Sequence, residues 1–168
     1  MDLGTLTQQL FDWSNEVAQT WGYFGIFIIS FIGNASIFLP VPAYIITVTF
    51  GSILNPWLVG IASALGAALG EITGYLLGRG GREVLLEKYE KNFKRAKKWI
   101  ETHGIFPVII LFAATPLPDE VVGIMAGAIN YNIKKFLLAS FLGKLLLYTA
   151  LAMAGYYGIS FVLGLFAI

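Results

Sequence analysis

The chain has 168 residues, of which 57% are hydrophobic and only 12% are charged. A soluble domain usually has about a quarter of its residues charged, and here no charged residue lies between Glu16 and Glu71. The composition therefore predicts an all-α integral membrane protein. A net charge of +1 argues against a nucleic-acid partner. With no cysteine and one histidine, we expect neither a metal site nor a cofactor.

The first segment, residues 1–21, has apolar side chains at steps of three and four residues, which predicts an amphipathic helix lying in the membrane interface. These side chains are Leu6, Leu10, Trp13, Val17 and Trp21. No Lys or Arg precedes Arg79, so the segment lacks the basic start of a cleaved signal peptide, and none is predicted.

Residues 22–78 form a first predicted repeat, in which a Pro-Val-Pro break at 40–42 interrupts one apolar stretch. Proline removes a backbone donor, and neither arm beside the break is long enough to cross about 30 Å of hydrocarbon. We expect a re-entrant hairpin with its tip at Pro40 and Pro42, although a kinked spanning helix is the alternative. A spanning helix at 57–78 follows, with glycines at four-residue spacing for close helix packing: Gly66, Gly70, Gly74 and Gly78.

Residues 79–103 contain 8 of the 11 basic side chains and a helical apolar spacing. They predict an amphipathic surface connector, which the positive-inside rule places in the cytoplasm. A solvated connector is the simpler interpretation, and a site for lipid phosphate or a partner is the alternative.

Residues 104–155 form a second predicted repeat, because a shift of 76 residues superimposes Pro40 and Pro42 on Pro116 and Pro118. A hairpin with its tip at 116–118 precedes a spanning helix at 133–155, and an apolar tail occupies 156–168. Each repeat has one returning hairpin and one crossing helix, so the two repeats are predicted to be inverted, as in many transporters.

Four ionisable residues lie in the predicted membrane region, where an unpaired charge costs several kcal/mol. Glu71 and Lys144 have similar predicted depths on antiparallel helices, so we expect them to approach each other, either as a structural ion pair or as part of a transport site. Asp119 and Glu120 follow Pro118, where carboxylates either cap free amide groups or bind protons during gating.

The stretch from Gly66 to Arg82 and the two Pro-x-Pro segments resemble the DedA family, also called the VTT or SNARE-associated Golgi protein domain. The most specific match is Gly-Glu-x-x-Gly-Tyr-x-x-Gly-Arg at residues 70–79, followed by Pro-Leu-Pro-Asp at 116–119 with Gly127. The resemblance covers about residues 22–158. It implies two facing re-entrant hairpins and the movement of lipids between leaflets. Two departures are Ala43-Tyr44, in place of a frequent acid, and Ala113-Ala114-Thr115, in place of a frequent arginine.

The leading prediction is a transporter, not an enzyme, that moves a polyprenyl phosphate or a phospholipid between leaflets as a flippase or scramblase. Lys144 and Arg79 are the predicted phosphate contacts, and Glu71, Asp119 and Glu120 are the predicted gating or proton sites. The alternatives are a proton-coupled exporter of small cations or drugs and a non-transporting assembly factor. We expect membrane lipids as partners, a homo-oligomer, and residence in a prokaryotic plasma membrane.

Overall fold

The computed structural model describes residues 20–36, 43–81, 104–115 and 119–165, together with isolated positions before residue 20. The predicted hairpin tips, residues 82–103 of the connector and most of the predicted interfacial helix lie outside the described residues. The helices, which we number in chain order, are α1 (Tyr23–Ala35), α2 (Ala43–Ile53), α3 (Pro56–Gly70), α4 (Ile72–Gly80), α5 (Phe106–Ala113), α6 (Glu120–Ala128) and α7 (Ile133–Leu165).

Within the described residues, two long apolar segments could cross a membrane: span 1, Pro56–Gly80, and span 2, Ile133–Gly158. Span 1 comprises α3 and α4, which meet at Glu71 with the helical hydrogen bonding maintained on both sides. Span 2 is the larger part of α7, which continues to Leu165 and past the predicted end at 155. Both spans expose leucines, as a lipid-facing surface requires: Leu65, Leu69, Leu76, Leu77, Leu138, Leu142 and Leu146.

Each span begins at an asparagine whose side chain accepts hydrogen bonds from the otherwise unpaired amides of the first turn. The Asn55 Oδ1 atom accepts from the backbone N–H groups of Trp57 and Leu58 at 3.0 and 3.3 Å. In the same way, the Asn132 Oδ1 atom accepts from Lys134 and Lys135 at 3.0 and 3.1 Å. Pro56 adds a fixed backbone angle at the first helical turn of span 1. These caps define where both spans start.

The four short helices form two arm pairs, α1 with α2 and α5 with α6, on either side of the two predicted tips. The longest arm, α1, has 13 residues, or about 20 Å at 1.5 Å per residue, so each arm is shorter than the hydrocarbon layer. Helices α1 and α6 pack on span 1, whereas α2 and α5 pack on span 2. The main contacts of each span are therefore with one arm from each pair, and span 1 also contacts α2.

The predicted glycine stripe of span 1 faces neighbouring helices closely at three positions and less closely at the fourth. A side chain at Gly66 or Gly70 would overlap the α1 backbone at Phe27 or Phe31, and one at Gly78 would overlap the α6 backbone. At Gly74, however, an added Cβ would lie 3.6 Å from its nearest neighbour, which is an ordinary contact. The glycines thus serve two different partners, because α1 and α6 follow each other along span 1.

Apolar side chains form two separate cores along the spans. The first core includes Val59 of span 1 and Ala152 of span 2, and the second includes Tyr75 of span 1 and Phe136 of span 2. On both spans, the stretch between these core residues contains a buried charged side chain. The fold therefore places a polar layer between two apolar ones.

Candidate functional site

The polar layer is centred on Lys144, whose side chain is only 1% exposed. Its Nζ atom lies 2.5 Å from Asp119 Oδ2, 3.1 Å from Glu71 Oε1 and 2.7 Å from Asn34 Oδ1. An ammonium has three N–H donors, and three oxygens surround this one. We call Lys144, Glu71, Asp119 and Asn34 the polar cluster.

The members of the polar cluster come from both spans and both arm pairs. Asn34 lies near the end of α1, and Asp119 immediately precedes α6. Glu71 lies between α3 and α4, and Lys144 lies within α7. One buried ammonium thus connects all four parts of the described bundle.

Asp119 stands at the N-cap position of α6, but its side chain makes no capping hydrogen bond. Instead, the carboxylate turns inward to Lys144 and is buried. The capping alternative is therefore wrong for Asp119. Its neighbour Glu120 is in the first turn of α6, is half-buried and is not a member of the polar cluster.

The electrostatic balance of the polar cluster is uneven, because two carboxylates share one ammonium. Apart from that ammonium, Glu71 Oε1 and Asp119 Oδ2 have no hydrogen-bond partner among the described residues. Burying charge is costly unless it is paired and hydrogen-bonded. If all three groups are ionised, the site has one excess negative charge, and uptake of a proton or another cation would balance it.

Further polar and aromatic contacts connect the polar cluster to the half-exposed ring of Tyr44. Asn34 Nδ2 donates to the Tyr148 hydroxyl at 3.0 Å and to the Ser30 carbonyl at 2.9 Å. Tyr148 is fully buried, and its ring lies 5.6 Å, centroid to centroid, from the ring of Tyr44, which is 38% exposed. Tyr44 lies just after the first predicted tip. A series of contacts from Tyr44 through Tyr148 and Asn34 therefore connects the edge of an arm pair to Lys144.

The predicted approach of Glu71 to Lys144 is confirmed by their 3.1 Å contact. The structure does not bring Arg79 to the same place, because its side chain is exposed near the end of α4. Arg79 is eight residues after Glu71, or about 12 Å further along the helix axis. The predicted roles of all these residues in transport remain predictions, and the four prolines of the tips lie outside the described residues.

Sequence reasoning missed Asn34 and Tyr148. Asn34 is the only amide side chain in residues 20–54, a stretch without any charge. A lone amide in a membrane segment needs polar partners, and this was the available signal. Nothing comparable distinguished Tyr148, since the chain has eight tyrosines. Among the described residues, no group of three His, Cys, Asp or Glu side chains could hold a metal ion.

Comparison with known proteins identifies one matching family and several relatives. The family model of the VTT domain matches residues 41–157, a range that contains three of the four residues of the polar cluster. The uncharacterized protein MJ0201 of Methanocaldococcus jannaschii is 32% identical over 135 residues, which are 78% of this chain and 82% of that protein. No solved structure matches the chain.

Two bacterial relatives are named as membrane proteins. The uncharacterized membrane protein YhjE of Bacillus subtilis is 27% identical over 145 residues, which cover 84% of this chain and 70% of the relative. The inner membrane protein YqaA of Escherichia coli is 25% identical over 144 residues, which cover 82% of this chain and 94% of the relative. Their names agree with the apolar spans described above.

Proposed function

Because the chain belongs to the VTT domain family of membrane proteins, we propose that it moves a phosphate-bearing lipid between leaflets, as a flippase or scramblase. The observation that carries this proposal is the ammonium of Lys144, buried where both spans and both arm pairs meet. A permanent charge within a span is expensive to retain, so it favours a transport function. The lipid is a polyprenyl phosphate or a glycerophospholipid.

We further propose that the arm pairs are re-entrant hairpins of two inverted repeats. Equivalent contacts support this arrangement. The returning arms pack closely through Gly51 on Ala152 and through Gly127 on Tyr75, and the two glycines are 76 residues apart in the sequence. The capping asparagines, Asn55 and Asn132, are 77 residues apart. In this arrangement the connector 79–103 faces the cytoplasm of a prokaryotic cell.

In the proposed mechanism, Lys144 binds the lipid phosphate while the acyl or prenyl chain stays in the bilayer. Glu71 and Asp119 hold the ammonium when no lipid is bound, and a phosphate approaching them would be repelled. Protonation of either carboxylate would remove this repulsion and release part of the hold on Lys144. Arg79, exposed near the end of span 1, would contact the phosphate as it enters or leaves on the cytoplasmic side.

A second candidate is a proton-coupled exporter of small cations, which the uneven charge of the polar cluster favours. Two carboxylates around one ammonium resemble a site already occupied by a cation, and a substrate amine would then displace Lys144. This candidate predicts release of protons on addition of the substrate, whereas passive scrambling of a phospholipid releases none. Both candidates treat the chain as a transporter rather than an enzyme, and we expect it to work as a homo-oligomer.

The test is headgroup movement in liposomes that contain the purified protein, with fluorescent phospholipid and polyprenyl phosphate as separate probes. Equilibration of phospholipid without a pH gradient would identify a scramblase. Movement of polyprenyl phosphate that changes with the gradient would identify a coupled flippase. If neither probe moves, the lipid proposal is wrong, and cation export or a role in membrane assembly takes its place.

Asp119→Asn is the variant for this assay, because it keeps the side-chain shape and removes the excess negative charge of the polar cluster. We expect it to change the rate of headgroup movement and its dependence on pH. Lys135→Gln is the control, since Lys135 is an exposed residue of α7, nine positions before Lys144. If both variants move lipid as the unmodified protein does at every pH, the polar cluster is only structural.

A further inference from the structure

The first arm pair contributes to the polar cluster without any charge of its own. Neither α1 nor α2 contains an acidic or basic residue, and no charged residue occurs between Glu16 and Glu71. The one member of the polar cluster on this arm pair is Asn34, whose Oδ1 atom lies 2.7 Å from Lys144 Nζ. The neutral arm therefore reaches the buried ammonium through an amide.

The orientation of the Asn34 amide is fixed from both sides. Its Nδ2 group donates to the Ser30 carbonyl at 2.9 Å and to the Tyr148 hydroxyl at 3.0 Å. With the amide reversed, Oδ1 would face the Ser30 carbonyl, and Nδ2 would face the ammonium. Both contacts would then be repulsive, since an ammonium cannot accept a hydrogen bond and a carbonyl cannot donate one. The oxygen of Asn34 is therefore held toward Lys144.

We propose that Asn34 is a positioning residue for Lys144 and makes the first arm pair part of the lipid-transfer site. This inference rests on the proposed function. The two carboxylates attract the ammonium by charge, while the amide directs one of its N–H groups toward α1. Loss of this contact would leave Lys144 closer to the carboxylates and less available to a phosphate.

The same end of α1 has a second polar contact, which permits a matched control. Thr73 Oγ1 lies 3.0 Å from the Ala35 carbonyl and 2.9 Å from the Gly70 carbonyl, and its one proton is shared between them. This hydroxyl bonds the end of α1 to span 1 without a polar contact to Lys144. Thr73→Val keeps the shape of the side chain and removes this bond. If Asn34 acts only by anchoring α1, the changes at Asn34 and Thr73 should have similar effects.

The decisive variant is Asn34→Asp, measured as headgroup movement per folded protein over a range of pH. An ionised carboxylate has no N–H for the Ser30 carbonyl and adds a third negative charge beside one ammonium. When protonated, it has a donor and a carbonyl acceptor again, as the amide does. We therefore expect the rate relative to the unmodified protein to fall as pH rises, by roughly two- to tenfold, the size of one lost hydrogen bond between neutral groups such as the bond to the Ser30 carbonyl.

Thr73→Val should show no such dependence of the relative rate on pH. Two results would overturn the proposal. One is a ratio of Asn34→Asp to unmodified rates that stays constant over the whole pH range. The other is a pH-dependent loss of equal size in Thr73→Val, since this would assign the effect to anchoring of α1.

A second readout does not depend on transport. A membrane-permeant amine reagent is applied to the protein in detergent, and mass spectrometry follows its reaction at Lys144. In Asn34→Ala, we expect the rate of labelling at Lys144 to change several-fold, while Thr73→Val keeps the original rate. Equal labelling of all three proteins would refute the positioning role. If labelling changes but the unmodified protein moves no lipid, the lipid function is wrong and the positioning role stands.

Discussion

The two halves of the protein share their backbone packing but differ in their chemistry. Gly51 of α2 and Gly127 of α6, which are 76 residues apart, each allow their helix to contact the span of the other half closely. Val48 and Ile124, which are also 76 residues apart, lie against Gly155 of span 2 and Gly78 of span 1. At these two crossings, the residues that bring the helices together therefore recur in both halves.

The residues of the polar cluster do not recur. At the same offset, Asn34 corresponds to Ile110, Glu71 to Leu147, Asp119 to Ala43, and Lys144 to Ala68. Each half supplies two members, and each member has an apolar counterpart in the other half. The comparison indicates that close glycine packing belongs to the scaffold, whereas the site for which we propose a function is asymmetric and lies at its centre. Changes at the centre and at the crossings should thus have different consequences.

The largest effect is expected from Lys144→Met, which removes the ammonium and leaves Glu71 and Asp119 buried without a counter-charge. Removing one partner of a buried ion pair costs about 3–5 kcal/mol. We expect this loss in the free energy of unfolding, measured by reversible unfolding in mixed micelles. Lipid movement should be lost as well.

The triple variant Lys144→Met, Glu71→Gln and Asp119→Asn separates stability from function. It has no buried charge, so most of the lost stability should return, while lipid movement should stay absent. Recovery of lipid movement in the triple variant would show that the polar cluster only stabilises the bundle.

Part of this asymmetric site was predictable from the sequence. The depths of Glu71 and Lys144 follow from counting residues along two helices, because an α-helix has a fixed rise. The orientation of the Asp119 side chain was harder to predict. A carboxylate just before a helix can either cap the helix or turn toward the protein interior, and only packing decides between the two. Asn34 could not be assigned, because its partners on α7 are more than 100 positions away in the chain.

The fold, like the site, was predictable where it depends on local sequence features and not where it depends on contacts between distant parts of the chain. Spans and arm boundaries follow from apolar length and proline breaks, which are local features. The role of each glycine depends instead on which helix crosses at that point. Gly74 continues the sequence pattern of Gly70 and Gly78, but it lies between the crossings of α1 and α6 and needs no close approach. Regular spacing alone therefore does not tell at which glycines a helix approaches too closely for a side chain.

The next largest effect tests the shared scaffold. A Cβ at Gly127 would overlap the Tyr75 carbonyl, and one at Gly51 would overlap the Ala152 carbonyl. We expect Gly127→Ala and Gly51→Ala each to lower the free energy of unfolding by about 1–3 kcal/mol, as overpacked positions do. Gly74→Ala is the control with space for the methyl group and should leave stability nearly unchanged. A clear difference between the first two variants would contradict the equivalence of the two crossings.

The last prediction, which includes the smallest effect, concerns a buried hydroxyl pair that exists in one half only. Thr47 and Ser63 lie 3.1 Å apart, and at the 76-residue offset their counterparts are Gly123 and Ala139. Thr47 already donates to the Ala43 carbonyl at 2.8 Å. Because a hydroxyl has one proton, the arrangement that uses both protons has Ser63 as the donor of the shared bond.

With Ser63 as the donor, single substitutions of Thr47 and Ser63 should lower the free energy of unfolding by different amounts. Thr47→Val leaves the Ser63 donor buried without its acceptor, which costs about 1–3 kcal/mol. Ser63→Ala removes the donor and leaves Thr47 bonded to Ala43, so its cost should be nearer 1 kcal/mol. Unfolding in mixed micelles measures both. Lipid movement per folded protein should remain unchanged in each variant, because this pair lies outside the polar cluster. A loss of movement in Ser63→Ala would extend the functional site into the crossing of α2 and α3 and break the separation of scaffold from chemistry.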